Sequence, residues 1–184
     1  MNFKNLEIQG LIQVDLKLHG DPRGFFVERY KEELFRQAGI SATFVQDNHS
    51  RSAPGILRGL HYQSNPSPQG KLVGVVRGRI WDVAVDIRPN SPTYGKHVGV
   101  ELSDMNGRLL WIPPGFAHGF CVLGDEPADL LYKVSAPYNA QSEGGILWND
   151  PELGIKWPIE KPMTSARDEK LQSFAQYRGQ PVEW

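Results

Sequence analysis

At 184 residues the chain is long enough to bury one sizeable core and is expected to form a single domain over 1–184. Hydrophobic residues at 40% and charged residues at 22% are ordinary for a soluble globular protein, and a formal net charge of −1 gives no electrostatic ground for binding nucleic acid or a membrane surface. The lone cysteine, Cys121, excludes an internal disulfide; the chain shows no signal-peptide-like start and no apolar run long enough to span a bilayer, so a cytoplasmic location is expected.

The 19 glycines and 14 prolines imply many turns and favour an all-β chain. Leu6 to Leu18 alternates, with Ile8, Ile12, Val14, Leu16 and Leu18 on one parity, and reads as an early strand. His19 to Gly24 is a turn cluster, and Phe25 to Glu28 resumes an extended segment. Tyr30 to Ala38 reads as a helix with Gly39 as its stop. In Thr43 to Ser52 the polar residues Gln46, Asn48, Ser50 and Ser52 are spaced by two, so a strand points all four the same way. On an outer face they would be solvated; inside a barrel mouth they would hydrogen-bond a polar ligand.

Ile56 to Gln63, ILRGLHYQ, follows a Pro54-Gly55 turn signal and reads as a strand. Strict alternation puts Arg58 and His61 on opposite faces, whereas a bulge at Gly59 would bring both toward one pocket. Leu72 to Arg88 reads as a strand pair turning at Arg77-Gly78-Arg79. Val98 to Leu102 and Leu109 to Ile112 flank Asn106-Gly107, a strong hairpin signal. Phe120 to Leu123 and Leu130 to Val134 are further strands, and Asp150 to Pro158 is a loop. Ser165-Ala166-Arg167-Asp168 resembles a capping box opening a short helix to about Phe174. Many short strands, regular turns and few helices read as a β-sandwich or jelly roll.

Pro113 to His118, PPGFAH, matches the P-x-G-x-x-H pattern of the second cupin signature. Many cupins bind a metal through an H-x-H pair in the first signature; here that place holds His61-Tyr62-Gln63. Only His61 and His118 remain as obvious ligands where three or four are needed, so a metal-free site without a cofactor is expected. Chemistry then rests on side chains. His61 is a general-base candidate because an imidazole titrates near neutrality. Asp168 would orient its other ring nitrogen or, on the plainer reading, cap a helix. Lys71 would hold positive charge near a developing oxyanion or be a solvated lysine. Tyr132, among apolar neighbours, is a general acid or a buried core tyrosine. Base, orienter, oxyanion stabiliser and acid together suit proton abstraction next to a carbonyl.

Six blocks stand in order along nearly the whole chain: DPRGFFVE (Asp21 to Glu28), QDNHSRS (Gln46 to Ser52), ILRGLHYQ, GKLVGVVRGRIWDVAVDIR (Gly70 to Arg88), WIPPGFAHGF (Trp111 to Phe120) and EGGILWNDP (Glu143 to Pro151). Together they resemble the dTDP-4-dehydrorhamnose 3,5-epimerases. The resemblance implies an all-β cupin jelly roll, metal-independent and homodimeric, in which an N-terminal strand commonly helps complete the partner's sheet and site. It implies His61 as proton acceptor paired with Asp168, Tyr132 as proton donor on the opposite sugar face, and Lys71 by the C4 carbonyl with His118 nearby. Arg23, Glu28, Gln46, Asn48, Arg58, Glu143 and Arg167 match substrate-contacting positions, and Tyr138 the position that stacks on the thymine ring. Arg167 departs from the lysine that the family often carries next to the aspartate; it keeps the charge but not the geometry. The implied reaction inverts C3 and C5 of dTDP-4-keto-6-deoxy-D-glucose to give dTDP-4-dehydro-β-L-rhamnose, on the route to L-rhamnose. The alternatives are inversion at C3 only or C5 only, a ketoisomerase, a sugar-nucleotide-binding cupin without catalysis, and a metal-dependent cupin oxygenase or isomerase.

Overall fold

Two antiparallel sheets face each other across an apolar core in the computed structural model, which describes residues 1–184. The elements run β1 (Asn2–Asn5), β2 (Ile12–Asp15), β3 (Leu18–Asp21), β4 (Gly24–Val27), α1 (Glu32–Gln37), β5 (Gln46–Ser52), β6 (Leu57–Gln63), β7 (Lys71–Arg77), β8 (Arg79–Asp86), β9 (His97–Ser103), β10 (Arg108–Ile112), β11 (Phe116–Val122), β12 (Ala128–Val134), β13 (Glu143–Gly145), a 3-10 turn (Asp168–Lys170) and α2 (Phe174–Gly179). One sheet has the order β1-β2-β10-β7-β12-β5, the other β13-β6-β11-β8-β9, and β3 pairs only with β4. This is the all-β sandwich expected from the many short strands. None of its helices is long and apolar enough to cross a membrane.

The strand periodicity of two sorts side chains between the layers. Val73, Val75, Leu110, Ile112, Ala128 and Leu130 from the first sheet pack against Ile80, Ala84, Val100, Leu102, Phe116 and Phe120 from the second. The outer face of the second sheet is covered too, because Val83, Val85 and Ile87 meet Phe174 and Tyr177 of α2. Strand β8 is therefore buried on both faces, which is why IWDVAVDI is apolar apart from Asp82 and Asp86. On the first sheet, Phe35 of α1 and Ile40 cover Val14, Leu72, Leu109 and Trp111.

Several local expectations are corrected by the long-range pairing. The single strand expected over Leu6 to Leu18 is interrupted: Gly10 takes φ +103°, the Leu6 N–H donates to the Leu11 carbonyl oxygen across the turn, and β1 folds back on β2. The turn cluster His19 to Gly24 is the tip of the β3–β4 hairpin, so part of it is strand. The turn at Gly78 is present (φ +74°), but β7 and β8 do not pair; each goes to a different sheet. A Cβ on Gly78 would lie 2.6 Å from the Pro127 carbonyl oxygen, and its N–H donates to Asp104 at 3.0 Å. The chain turns a corner there and lets Val73 and Ile80 meet across the sandwich. Asn106-Gly107 behaves the same way. Its turn is held by Asn106, whose Oδ1 accepts from the Ser103 and Arg108 N–H groups, yet β9 and β10 join opposite sheets. Short-range turn chemistry specifies where a chain reverses, not which strand receives it.

The second helix is also displaced. Ser165 Oγ accepts from the Asp168 N–H at 3.1 Å, but only one 3-10 turn follows, and Leu171 is extended. The complete capping box belongs to Ser173 and Gln176, which open α2.

Candidate functional site

The inward residues of five strands converge on a cavity of about 230 Å³ between the sheets, lined by Ser50, Arg58, His61, Lys71, His118 and Tyr132 among others. Strands β5, β7 and β12 contribute Ser50, Lys71 and Tyr132 from one sheet. Strands β6 and β11 contribute Arg58, His61 and His118 from the other. The parity seen in Gln46, Asn48, Ser50 and Ser52 is the inner one: Ser52 is buried and accepts from Arg58 Nε at 3.0 Å, while Gln46 Nε2 donates to Asn48 Oδ1 at 2.8 Å.

Arg58 and His61 share the cavity because β6 bulges between them. His118 is the register partner of His61 and Phe120 that of Arg58, so Gly59 and Leu60 oppose the single residue Gly119. Gly59 has φ +128°, and a Cβ there would lie 2.5 Å from Gly119 Cα and 2.9 Å from the His118 carbonyl oxygen. No side chain fits, so the bulge depends on the glycine.

The bulge also exposes the Gly59 N–H to a carboxylate. Asp168 Oδ2 accepts from that N–H at 3.3 Å, and Asp168 Oδ1 lies 2.7 Å from His61 Nε2. Asp168 is almost wholly buried (side chain 4% exposed) while the His61 ring keeps 28% of its surface open. Burial pushes the Asp168 carboxyl up, but the hydrogen bond and charge of His61 and the Gly59 N–H outweigh it and hold the group below the usual carboxylate range. An ionised carboxylate is acceptor-only, so His61 donates from Nε2 and a neutral ring presents the Nδ1 lone pair as a base. The helix-capping reading of Asp168 does not describe this geometry: its carboxylate turns inward, and Ser165 supplies the turn's hydroxyl acceptor.

Across the cavity stand two groups of opposite use. Burial lowers the Lys71 ammonium to about 8, with Asp82 and Glu143 pulling it back up. Burial raises the Tyr132 phenol, with Arg58 opposing, so the hydroxyl keeps its proton at neutral pH. Tyr132 and His61 lie on facing sheets, which lets them reach opposite sides of a flat ligand between them.

A second cluster forms around Glu143. Tyr138 donates to its Oε2 at 2.8 Å and Arg167 Nη2 pairs with the same oxygen at 2.9 Å. Burial pushes the Glu143 carboxyl up, and Arg167 and Tyr138 more than offset it. Glu143 sits on β13 beside β6, and Tyr138 is 61% exposed. Arg23 and Glu28 line neither the cavity nor the Glu143 cluster of their own chain. Arg23 pairs with Asp21 on the β3–β4 hairpin, and Glu28 follows that hairpin in an exposed position.

Asp82 was not singled out in the sequence, yet it is fully buried and takes His118 Nε2 at 2.9 and 3.1 Å. Its signal was an acid at an inward position of an otherwise apolar strand. Asp86 carries the same signal and is satisfied structurally by Arg88, Ser91 and Thr93. No group of three or more His, Cys, Asp or Glu side chains is arranged to hold a metal ion.

The family profile described as dTDP-4-dehydrorhamnose 3,5-epimerase matches residues 5–176. The dTDP-4-dehydrorhamnose 3,5-epimerase of Shigella flexneri is 52% identical over 175 residues, covering 95% of this chain and 96% of its own. A solved structure of the dTDP-6-deoxy-D-glucose-3,5-epimerase of Legionella pneumophila, in complex with dTDP-4-keto-L-rhamnose, superposes with a TM-score of 0.93 at 46% identity, covering 99% of this chain and 97% of that one. The dTDP-4-dehydrorhamnose 3-epimerase of Streptomyces niveus is 38% identical over 97% of this chain and 86% of its own.

Proposed function

The chain belongs to the dTDP-4-dehydrorhamnose 3,5-epimerase family, and from that premise we propose that it inverts C3 and C5 of dTDP-4-keto-6-deoxy-D-glucose to give dTDP-4-dehydro-β-L-rhamnose. The observation that carries this reading is His61 on one sheet, bonded to Asp168 of the 3-10 turn, facing Tyr132 and Lys71 on the other sheet across a single cavity. Product analysis by proton NMR tests it: coupling constants must report inversion at both carbons. The 3-epimerase among the relatives keeps one alternative in view, and inversion at C3 alone would favour it.

A C4 ketone acidifies the hydrogens on C3 and C5. His61 Nδ1 takes one of them; the electron pair moves through C4 to the carbonyl oxygen, and Asp168 stabilises the imidazolium that results. Lys71 stabilises the enolate oxygen, where limited solvent strengthens the charge interaction. Tyr132 gives its proton to the opposite face, inverts the centre and recovers a proton from solvent. His61 returns its proton to solvent, and the cycle repeats at the second carbon. Gln46, Asn48, Arg58, His118, Glu143 and Arg167 hold the substrate, with the arginines suited to the diphosphate, and Tyr138 stacks on the thymine ring.

The role of Lys71 sets an alkaline limit. Below its pKa of about 8 the group is an ammonium; above it the amine is neutral and no longer offsets the enolate charge. The expected log kcat/KM profile therefore falls as pH rises through about 8. The kcat limb lies higher, because the bound diphosphate adds negative charge that favours the ammonium. A flat profile to pH 10 would remove Lys71 from this role.

The reaction needs no metal in this scheme. Activity is expected to survive exhaustive chelation, and loss of activity restored by one particular metal would overturn the scheme.

We extend the proposal to a cytoplasmic homodimer with exchange of N-terminal structure. The β3–β4 hairpin pairs with no other strand of its own chain, exposes Phe25 (61%) and Phe26 (70%), and carries Arg23 with Glu28 just beyond. A partner's site is where these otherwise unused groups would act, and closed two-fold assemblies are the common solution. Light scattering is expected to give twice the 20.7 kDa chain mass. A fully active monomer would reject the exchange.

A further inference from the structure

The buried carboxylate Asp82 has no place in the scheme above, although it underlies two groups that do. It lies on β8, where Phe120 is its register partner, and so sits diagonally across from His118 on β11. Its side chain has no exposed surface, and its two oxygens lie 3.1 and 2.9 Å from His118 Nε2. His118 is itself the register partner of His61. The histidines of two histidine–carboxylate pairs thus stand side by side on one sheet, but they differ in surroundings. The ring of His61 is 28% exposed and that of His118 10%.

We propose that Asp82 is a positioning residue for the epimerisation, the shared counter-charge that orients His118 and fixes the charge state of Lys71. This rests on the function proposed above. The carboxylate accepts from His118 Nε2, which leaves Nδ1 to face the cavity and the substrate. The same negative charge favours the Lys71 ammonium against a burial that disfavours it. One buried aspartate thereby serves two cavity groups from different sheets, Lys71 on β7 and His118 on β11. Other groups reach this corner. Glu143 on β13 also favours the Lys71 cation, while His61 and Arg58 on β6 and Tyr132 on β12 line the same cavity. Cys121, two residues after Gly119, is held as a thiol by burial that raises it to about 11 and plays no charged part near neutral pH.

The test is Asp82→Asn, which keeps the shape and an oxygen acceptor for Nε2 but removes the charge. The alkaline limb of kcat/KM is expected to move down by roughly one pH unit, the lower end for an opposite charge at close range. At pH 7.5 the variant then loses kcat/KM, and kcat follows at higher pH. A purely structural aspartate would lower the melting temperature and leave the limb where it was, and that result overturns the proposal. Asp82→Ala removes the acceptor as well and is expected to lose further activity at every pH. If neither variant folds, one measurement on the unaltered protein decides. Nitrogen NMR of histidine-labelled protein should find His118 Nε2 protonated at every pH at which the protein is folded; an unprotonated Nε2 overturns the proposal. Failure of the unaltered protein to epimerise would sink the assigned function instead. Direct NMR titration of Lys71 in Asp82→Asn would still read the charge coupling in that case, with an unmoved Lys71 counting against it.

Discussion

His61→Ala is expected to abolish inversion and solvent exchange together, because no other base has the same geometry. The His61 ring is the more open of the two histidine rings and the only one bonded to Asp168. Asp168→Ala should leave the base in place but free its ring to rotate and withdraw the charge that stabilises the imidazolium. Its kcat is expected to fall by roughly 10²–10⁴, the range typical of acid–base groups, equivalent to about 3–5 kcal/mol in the barrier. The Gly59 N–H also loses its acceptor, which costs about 1–3 kcal/mol of stability if no water replaces it. Asp168→Asn separates the two effects, since the amide oxygen can still accept a hydrogen bond. A variant at 168 that melts earlier but turns over normally would show that the carboxylate serves only the fold.

Tyr132→Phe is expected to separate exchange from inversion. The change deletes one hydroxyl and keeps the ring, which packs against the core between the sheets. His61 still removes a substrate proton and can return a deuteron from heavy water to the same face, so exchange continues. Delivery to the opposite face loses its donor, and inversion is expected to slow by roughly 10²–10⁴. Inversion at the normal rate would remove Tyr132 from the mechanism. Joint loss of exchange and inversion would assign the hydroxyl to an earlier step, such as polarising the ketone.

The common parity of the polar residues of β5, the helix stopped by Gly39 and the glycine able to host a bulge at position 59 were legible in the chain, because each depends on a few neighbouring residues; which face the parity takes, and that the bulge forms, were not. The destinations of β8 and β10 were not. Gly78 and Asn106-Gly107 look like hairpin turns locally, and only the apolar inner faces of two distant sheets decide that the chain crosses between them. The same difference explains the site. His61, Lys71 and Tyr132 could be named from their chemistry and from resemblance. The Asp168 carboxylate was ambiguous between cap and orienter, because the Gly59 N–H and the His61 ring that settle its direction lie more than 100 residues away. Asp82 was hidden for a related reason: its partner is 36 residues distant and on another strand. Only its acid side chain in an apolar strand marked it.

The most direct measurement converts dTDP-4-keto-6-deoxy-D-glucose with the unaltered protein in heavy water and locates deuterium in the product by NMR. Enolisation on both sides of the C4 ketone predicts deuterium at C3 and at C5, each with inverted configuration, and no label elsewhere in the sugar. Inverted product that retains its original hydrogens, or label and inversion confined to one of the two carbons, would contradict it.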